Sequence, residues 1–267
     1  MSAVVTLLSR GEITLVGQLT DASNLALLST VELDGVQARA MYKPVQGERP
    51  LWDFPDGTLA AREVAAFVLS DAGGWNLVPP TVLRTEGPAG PGSLQLWIGD
   101  PEAPAADMGI IDVVRPADLK PGWLPVFDAQ LANRTRVVVA HADRPDLAAA
   151  AVFDAVANNA DRKGSHLILD DEGSLWGFDH GVSFHTDTKL RTVLWGWAGE
   201  PLPAVEQDRL RALDPMLEEA AEVGATLVPL LTRAERQAVR NRVRRLIARA
   251  KYPRPHGDWP AVPWPPL

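Results

Sequence analysis

Between Asn158 and Gly181 the sequence NNADRKGSHLILDDEGSLWGFDHG brings together the carboxylates of Asp161 and Asp179, the ammonium of Lys163 and the imidazoles of His166 and His180. Carboxylates bind hard divalent cations, and a lysine beside them neutralises phosphate oxygens, so the set suits a metal-bound phosphate. The pattern reads as a helix end, a polar loop, a strand over 167–170, a turn and a second strand that stops at Asp179. Two short strands of this kind hold the Asp161 loop and the Asp179 carboxylate side by side.

The pair DRKGSH…DHG resembles the Asp-Arg-His-x-x-Asn…Asp-Phe-Gly pair of phosphoinositide kinases and the related HipA-type kinases. In layout the resemblance spans roughly residues 15–184 and points to a phosphoinositide-kinase-related branch found in high-GC bacteria. It implies a bilobal α+β fold, with an N-terminal antiparallel sheet lobe (1–100) that holds nucleotide and a mainly helical catalytic lobe (101–267). It also implies an ATP-dependent phosphotransferase that uses Mg2+ or Mn2+ and passes the γ-phosphate to a hydroxyl on a lipid head group or a protein.

Residue by residue, the resemblance makes Asp161 the base for the acceptor hydroxyl and Lys163 the neutraliser of the migrating phosphoryl group. Asp179 becomes a metal ligand. Lys43 becomes the lysine on the α and β phosphates, and Glu63 its helix partner. Ser23 and Asn24 sit at the tip of the phosphate-covering hairpin, which lacks the glycine-rich pattern. Leu96, Trp97 and Ile98 enter the hinge beside adenine. His166 departs from the pattern, because it stands at the Asn position that holds a second metal. Magnesium binds imidazole poorly. Four readings of His166 follow: a softer ion such as manganese, direct contact with phosphate, use of a single metal, or lost transfer in a protein that still binds nucleotide.

The elements that must position these groups read as follows. Strands over 15–19 and 25–33 flank the polar turn TDASN, and Asp34-Gly35 makes a tight turn into a strand over 36–44 that ends in Lys43-Pro44. Lys43 is one of three lysines before position 164. Thr58 caps a helix over 59–72, stopped by Gly73-Gly74. Strands over 77–83 and 93–98 follow. A Pro-, Asp- and Gly-rich run over 99–128 marks the inter-lobe boundary, and VVVAHA near 137–142 fits strand or helix. The alanine-rich stretch from Pro145 is a strong helix that delivers Asp161, with Asn158 and Asn159 suited to leaving it. Later helices are expected over 201–213, 216–231 and 233–251, the last capped by Thr232 and Glu235. The proline-rich tail wraps across the domain with Trp259 and Trp264 docked.

The whole chain sets outer bounds. Its 267 residues suit one large domain or two lobes around a cleft. A net charge of −8 argues against general nucleic-acid affinity, and no apolar run is long enough for a transmembrane segment. The N-terminus has no basic start and reaches Glu12 too soon for a signal peptide, so a cytoplasmic protein is expected. Seven arginines and a lysine over 233–251 form a solvated face or a surface for an anionic partner. Two rival functions remain in view. One is a nucleotide-binding pseudokinase that regulates a partner. The other is a metal hydrolase using His166, Asp170, Asp179, His180 and His185 as zinc or manganese ligands, without HExxH-type spacing to support it.

Overall fold

The computed structural model describes residues 3–19, 24–54, 59–99, 109–255, 257 and 260–267. Thr58, Ser23, Trp259 and the lobe boundary at residue 100 lie outside the described residues.

An antiparallel five-stranded sheet forms the N-terminal part, in the order β1 (Glu12–Gln18), β2 (Leu27–Leu33), β3 (Val36–Pro44), β5 (Gly92–Leu96), β4 (Thr81–Arg84). The β2–β3 turn has both Asp34 and Gly35 at positive φ, the geometry that matches hairpin twist. In β3 the residues before Lys43 are buried, which anchors the strand and leaves Lys43 at its inner end opposite Ser93. Helix α1 (Ala3–Arg10) packs on β4 and buries Leu7 and Leu8 in the small core beneath the sheet with Val31, Tyr42 and Leu94. Arg84 holds its end by donating to the carbonyls of Leu8 and Gly11.

Helix α2 (Leu59–Ala72) carries Glu63. Its first amides are held by the Glu48 carboxylate, which accepts from Leu59 at 2.9 Å and Ala60 at 2.8 Å. A carboxylate there also meets the positive end of the helix dipole. The helix stops at Gly73, whose N–H returns to Leu69, and at Gly74 with φ +68°.

The second part contains three antiparallel strands in the order β6 (Ile111–Val114), β8 (Arg136–Ala142), β7 (Trp123–Gln130). Here the sequence pattern expected a loop-rich boundary. Backbone pairing resolves VVVAHA as the central strand β8, covered on both edges. Helix α3 (Pro145–Ala157) follows and leaves through Asn158 in the left-handed conformation, φ 57°. A two-stranded ribbon, β9 (Leu167–Leu169) and β10 (Leu175–Gly177), then carries the chain to Asp179. The second strand ends two residues short of Asp179, which itself adopts φ 56°.

Helices α4 (Ala204–Met216), α5 (Glu222–Leu227) and α6 (Arg233–Arg249) complete the main core around α3. The helix expected over 216–231 shrinks to α5, because turns over 217–221 and 228–230 interrupt it. Trp264 is not docked but 74% exposed. The tail holds on through backbone instead: the Ala261 carbonyl accepts from Thr192 and the Trp195 indole, and the Pro266 carbonyl accepts from Gly164.

Helix α6 is tied to α2 at the residue beside Glu63. Arg62, 2% exposed, meets the Glu235 carboxylate at 2.5 Å, while Glu235 also closes the capping box with Thr232. Removing one member of a buried ion pair costs about 3–5 kcal/mol, against about 1 kcal/mol for a lost cap. Glu235→Ala is therefore expected to lower the melting temperature several-fold more than Thr232→Ala. Equal losses in calorimetry would show that the Arg62 contact carries little.

Candidate active site

The end of β3, the second turn of α2 and the turn after β10 converge on Lys43. Its Nζ lies 2.5 Å from Glu63 Oε1 and 3.2 Å from Asp179 Oδ1. Burial works against the ammonium, but the two carboxylates outweigh it and raise Lys43 above its ordinary value. Lys43 in turn holds the Asp179 carboxyl well below the usual carboxylate range, against the opposing effect of burial. Glu63 uses its other oxygen, Oε2, to accept from the His180 backbone N–H at 3.0 Å. One helix carboxylate thus fixes both the strand lysine and the turn after Asp179.

The loop that carries Asp161 is set by Arg162, which is fully buried. Its Nε and Nη2 fork onto Asp154 of α3 at 2.9 and 3.0 Å. Nη1 donates to the carbonyls of Phe178 at 3.0 Å and His166 at 3.3 Å, and Nη2 reaches His180 Nε2 at 2.6 Å. Because Arg162 can only donate, His180 must accept at Nε2 and so stay neutral. Burial and then the Arg162 charge hold His180 well below its ordinary value.

Asp161 stands at the mouth, 3.2 Å from the Lys163 ammonium, with its own N–H held by Asn159 Oδ1. Burial raises the Asp161 carboxyl above the ordinary value, partly offset by Lys163 and reinforced by Asp179. A carboxylate shifted in this direction is a better proton acceptor at neutral pH. His166 Nε2 lies 3.5 Å from Asp179 Oδ2. Burial lowers the imidazole to about 4, opposed by Asp179 and reinforced by Arg162, Lys163 and Lys43. His166 Nδ1 accepts from the Lys163 N–H at 3.5 Å, so Nε2 would face a divalent cation beside Asp179 only in the other neutral tautomer, with phosphate oxygens and water filling the remaining positions.

The sequence-derived set is therefore gathered at Lys43, Glu63, Asp161, Lys163, His166 and Asp179. Others lie differently. Asn24 Oδ1 accepts from the Arg49 N–H. The amides of Leu96 and Trp97 are engaged by the carbonyls of Pro80 and Arg39, which leaves them closed to a base edge, and Ile98 leads into Gly99. The rival hydrolase ligands do not assemble: Asp170 holds the Trp176 indole, His180 holds Arg162, and His185 Nδ1 accepts from the Asp187 N–H. Among the described residues no three His, Asp or Glu side chains form a metal-holding group. A cavity of about 360 Å3 opens elsewhere, lined by Trp75, Leu77, Pro145, Leu175, Glu206 and Arg209, and holds none of the site residues.

Three contributions escaped sequence reasoning. Asn158 pins the segment after Gly181 by donating to the carbonyls of His185 and Asp187 and accepting from the Lys189 N–H. Lys189 faces Asp53 at 2.7 Å and lies over the Trp52 ring, clasping the two segments together. Arg236, Arg240 and Arg244 pair with Glu219, Glu218 and Asp214, so the basic face of α6 is partly answered within the fold. Short-range patterns point to each helix but not to its cross-chain partner.

No protein-family model matches the chain. It is 42% identical to Protein Rv2133c of Mycobacterium tuberculosis over 264 residues, covering 97% of this chain and 93% of that one, and it belongs to the same family. Among solved structures, hydra Fam20 with sugar superposes at a TM-score of 0.58 with 16% identity, over 92% of this chain and 87% of that one. The Golgi casein kinase with Mn/ADP bound gives 0.55 with 14% identity, over 92% and 74%. The chain thus has a kinase-like α+β fold, an antiparallel sheet region followed by a mainly helical one. Among the described residues no helix is long and apolar enough to cross a membrane.

The site makes stability depend on pH in a defined window. A histidine whose folded value lies below its unfolded value, about 6.5, binds a proton less readily when folded. Stability is therefore lost as pH falls from about 6.5 toward the folded value of His166, about 4. His141 and His180 are lowered as well and act in the same direction. His166→Asn is expected to flatten part of the fall in melting temperature over this window. An unchanged slope would show that His166 titrates normally.

Proposed function

We propose that this chain is an ATP-dependent phosphotransferase of the kinase-like fold, acting on a hydroxyl acceptor. The observation that carries the reading is the Lys43 ammonium bridging Glu63 and Asp179 while Asp161 and Lys163 face the same mouth. Random polar residues have no reason to converge from β3, α2, the α3 exit and the β10 exit at once. DRKGSH…DHG supports placing the chain near the phosphoinositide-kinase and HipA-type branches. We read residues 1–100 as the nucleotide lobe and 101–267 as the catalytic lobe. A cytoplasmic setting would supply the ATP.

In this reading Lys43 orients the α and β phosphates, held straight by Glu63. Asp179 and His166 would hold the divalent ion, which would neutralise charge on the phosphates. The donor set favours manganese, since magnesium takes imidazole poorly. Asp161 accepts the proton of the acceptor hydroxyl as its oxygen bonds to phosphorus and the bond to the departing ADP breaks. Lys163, next to Asp161, neutralises the phosphoryl group in transit. Asn24 stands at the tip of the phosphate-covering hairpin, and Leu96, Trp97 and Ile98 flank adenine through side chains.

A second reading, a nucleotide-binding pseudokinase, draws on His166 in the position where the related kinases carry Asn. Two variants separate the readings. ATP with Mn2+ is expected to raise the melting temperature by mass action, and Asp179→Ala to abolish that rise. Asp161→Asn should keep the rise but reduce phosphate transfer by at least about a hundredfold, the size of a general-base contribution. A rise without transfer in the unmodified protein favours the pseudokinase. No rise with either Mn2+ or Mg2+ removes the nucleotide site.

A further inference from the structure

Arg191 lies opposite the catalytic loop in a parallel bridge that joins Arg162 to Thr192. The Arg162 N–H donates to the Arg191 carbonyl at 2.9 Å, and the Val193 N–H to the Arg162 carbonyl at 3.1 Å. A third bond, from the Arg191 N–H to the Asn159 carbonyl at 2.9 Å, fixes the residue from the other side. Successive residues of extended chain face opposite ways, and residues matched across a pair face the same way. Arg162 and Thr192 are both buried. Their predecessors, Asp161 and Arg191, therefore share the outward side, and both are part-exposed.

The guanidinium is in an unusual state for a half-buried arginine. Among the described residues no ion pair engages it, and its buried Nε has no hydrogen-bond partner. The neighbouring cations are all answered: Lys43 by Glu63 and Asp179, Lys163 by Asp161, Lys189 by Asp53. The Arg191 charge acts on the Asp161 carboxyl.

We propose that Arg191 binds an acidic group on the acceptor, so that the substrate is a small soluble hydroxyl compound carrying a phosphate or carboxylate beside the hydroxyl that is phosphorylated. The proposal rests on the kinase reading above. A planar guanidinium with free donors matches such an anion in a two-point fork. A soluble source fits better than a lipid surface. The chain carries a net charge of −8, and Arg236, Arg240 and Arg244 of α6 are paired with acids, which weakens its basic face as a dock for an anionic membrane.

The test uses the full chain loaded with ADP and Mn2+, with glycerol 3-phosphate and glycerol as matched probes in calorimetric titrations. The unmodified protein is expected to bind glycerol 3-phosphate at least about tenfold more tightly than glycerol, the scale of one charge-assisted fork. Arg191→Gln should erase that preference and Arg191→Lys should keep part of it, with the ADP–Mn2+ melting shift intact in both. No preference in the unmodified protein, or a preference that survives Arg191→Gln, overturns the proposal. So does binding to phosphatidylinositol vesicles without a preference for glycerol 3-phosphate, which would move the acceptor to a lipid. Loss of the ADP–Mn2+ shift in the unmodified protein would bring down the kinase reading itself, an outcome separate from loss of the anion preference alone.

Discussion

The structure depends most on one buried guanidinium. Arg162 has five N–H groups, and all five are met: two by Asp154, two by the carbonyls of His166 and Phe178, one by His180. A buried arginine is tolerable only under such complete satisfaction, because an unpaired charge in the interior is expensive. Satisfying it requires the α3 exit, the Asp161 loop, the β9–β10 ribbon and the turn after Asp179 to meet at one point. Asp161 precedes this residue and Lys163 follows it, so both project from a backbone whose position is over-determined. The two candidate groups stand toward the surface, while their placement is decided inside.

A second constraint reaches the same turn from the opposite side. Glu63 accepts from Lys43 and from the His180 amide, and its neighbour Arg62 fastens α2 to Glu235 on α6. The sheet region and the helical region are thus coupled through adjacent residues of one helix, one facing the site and one facing the core. A shift of α2 would misplace Lys43 and loosen the turn that presents Asp179 together. Kinase-like sites need both groups in register with the phosphates, and here a single carboxylate sets both.

How much of this was readable from the chain alone follows from the range of each interaction. The hairpin at Asp34-Gly35, the span of α2 and the αL exit at Asn158 are local matters of turn chemistry and propensity, and they were legible. So was the company of Lys43, Glu63, Asp161, Lys163, His166 and Asp179, because a resemblance fixes order along the chain. The sheet β6–β8–β7 was not, since its outer strands hold Pro and Asp, and only pairing with VVVAHA makes them strands. Helix α5 and exposed Trp264 went astray because apolar pattern shows what prefers burial, not what the fold has room to bury. Glu48 capping α2 and Lys189 clasping Asp53 join residues 11 and 136 positions apart, where spacing carries no signal.

The two imidazoles show how one residue type can take opposite roles within a few ångström. His180 is neutral because its Nε2 must accept from Arg162, so it serves the scaffold and is closed to any ligand. His166 is also kept neutral, chiefly by burial, but its Nε2 points at Asp179 Oδ2 rather than at a protein donor. A cationic imidazole at either place would add its charge to those of Lys43, Lys163 and Arg162. Neutral histidine at 166 avoids that addition while keeping a donor atom beside the carboxylate. An imidazole at 166, where the resemblance places an amide, is a softer donor than an amide oxygen and suits manganese better than magnesium.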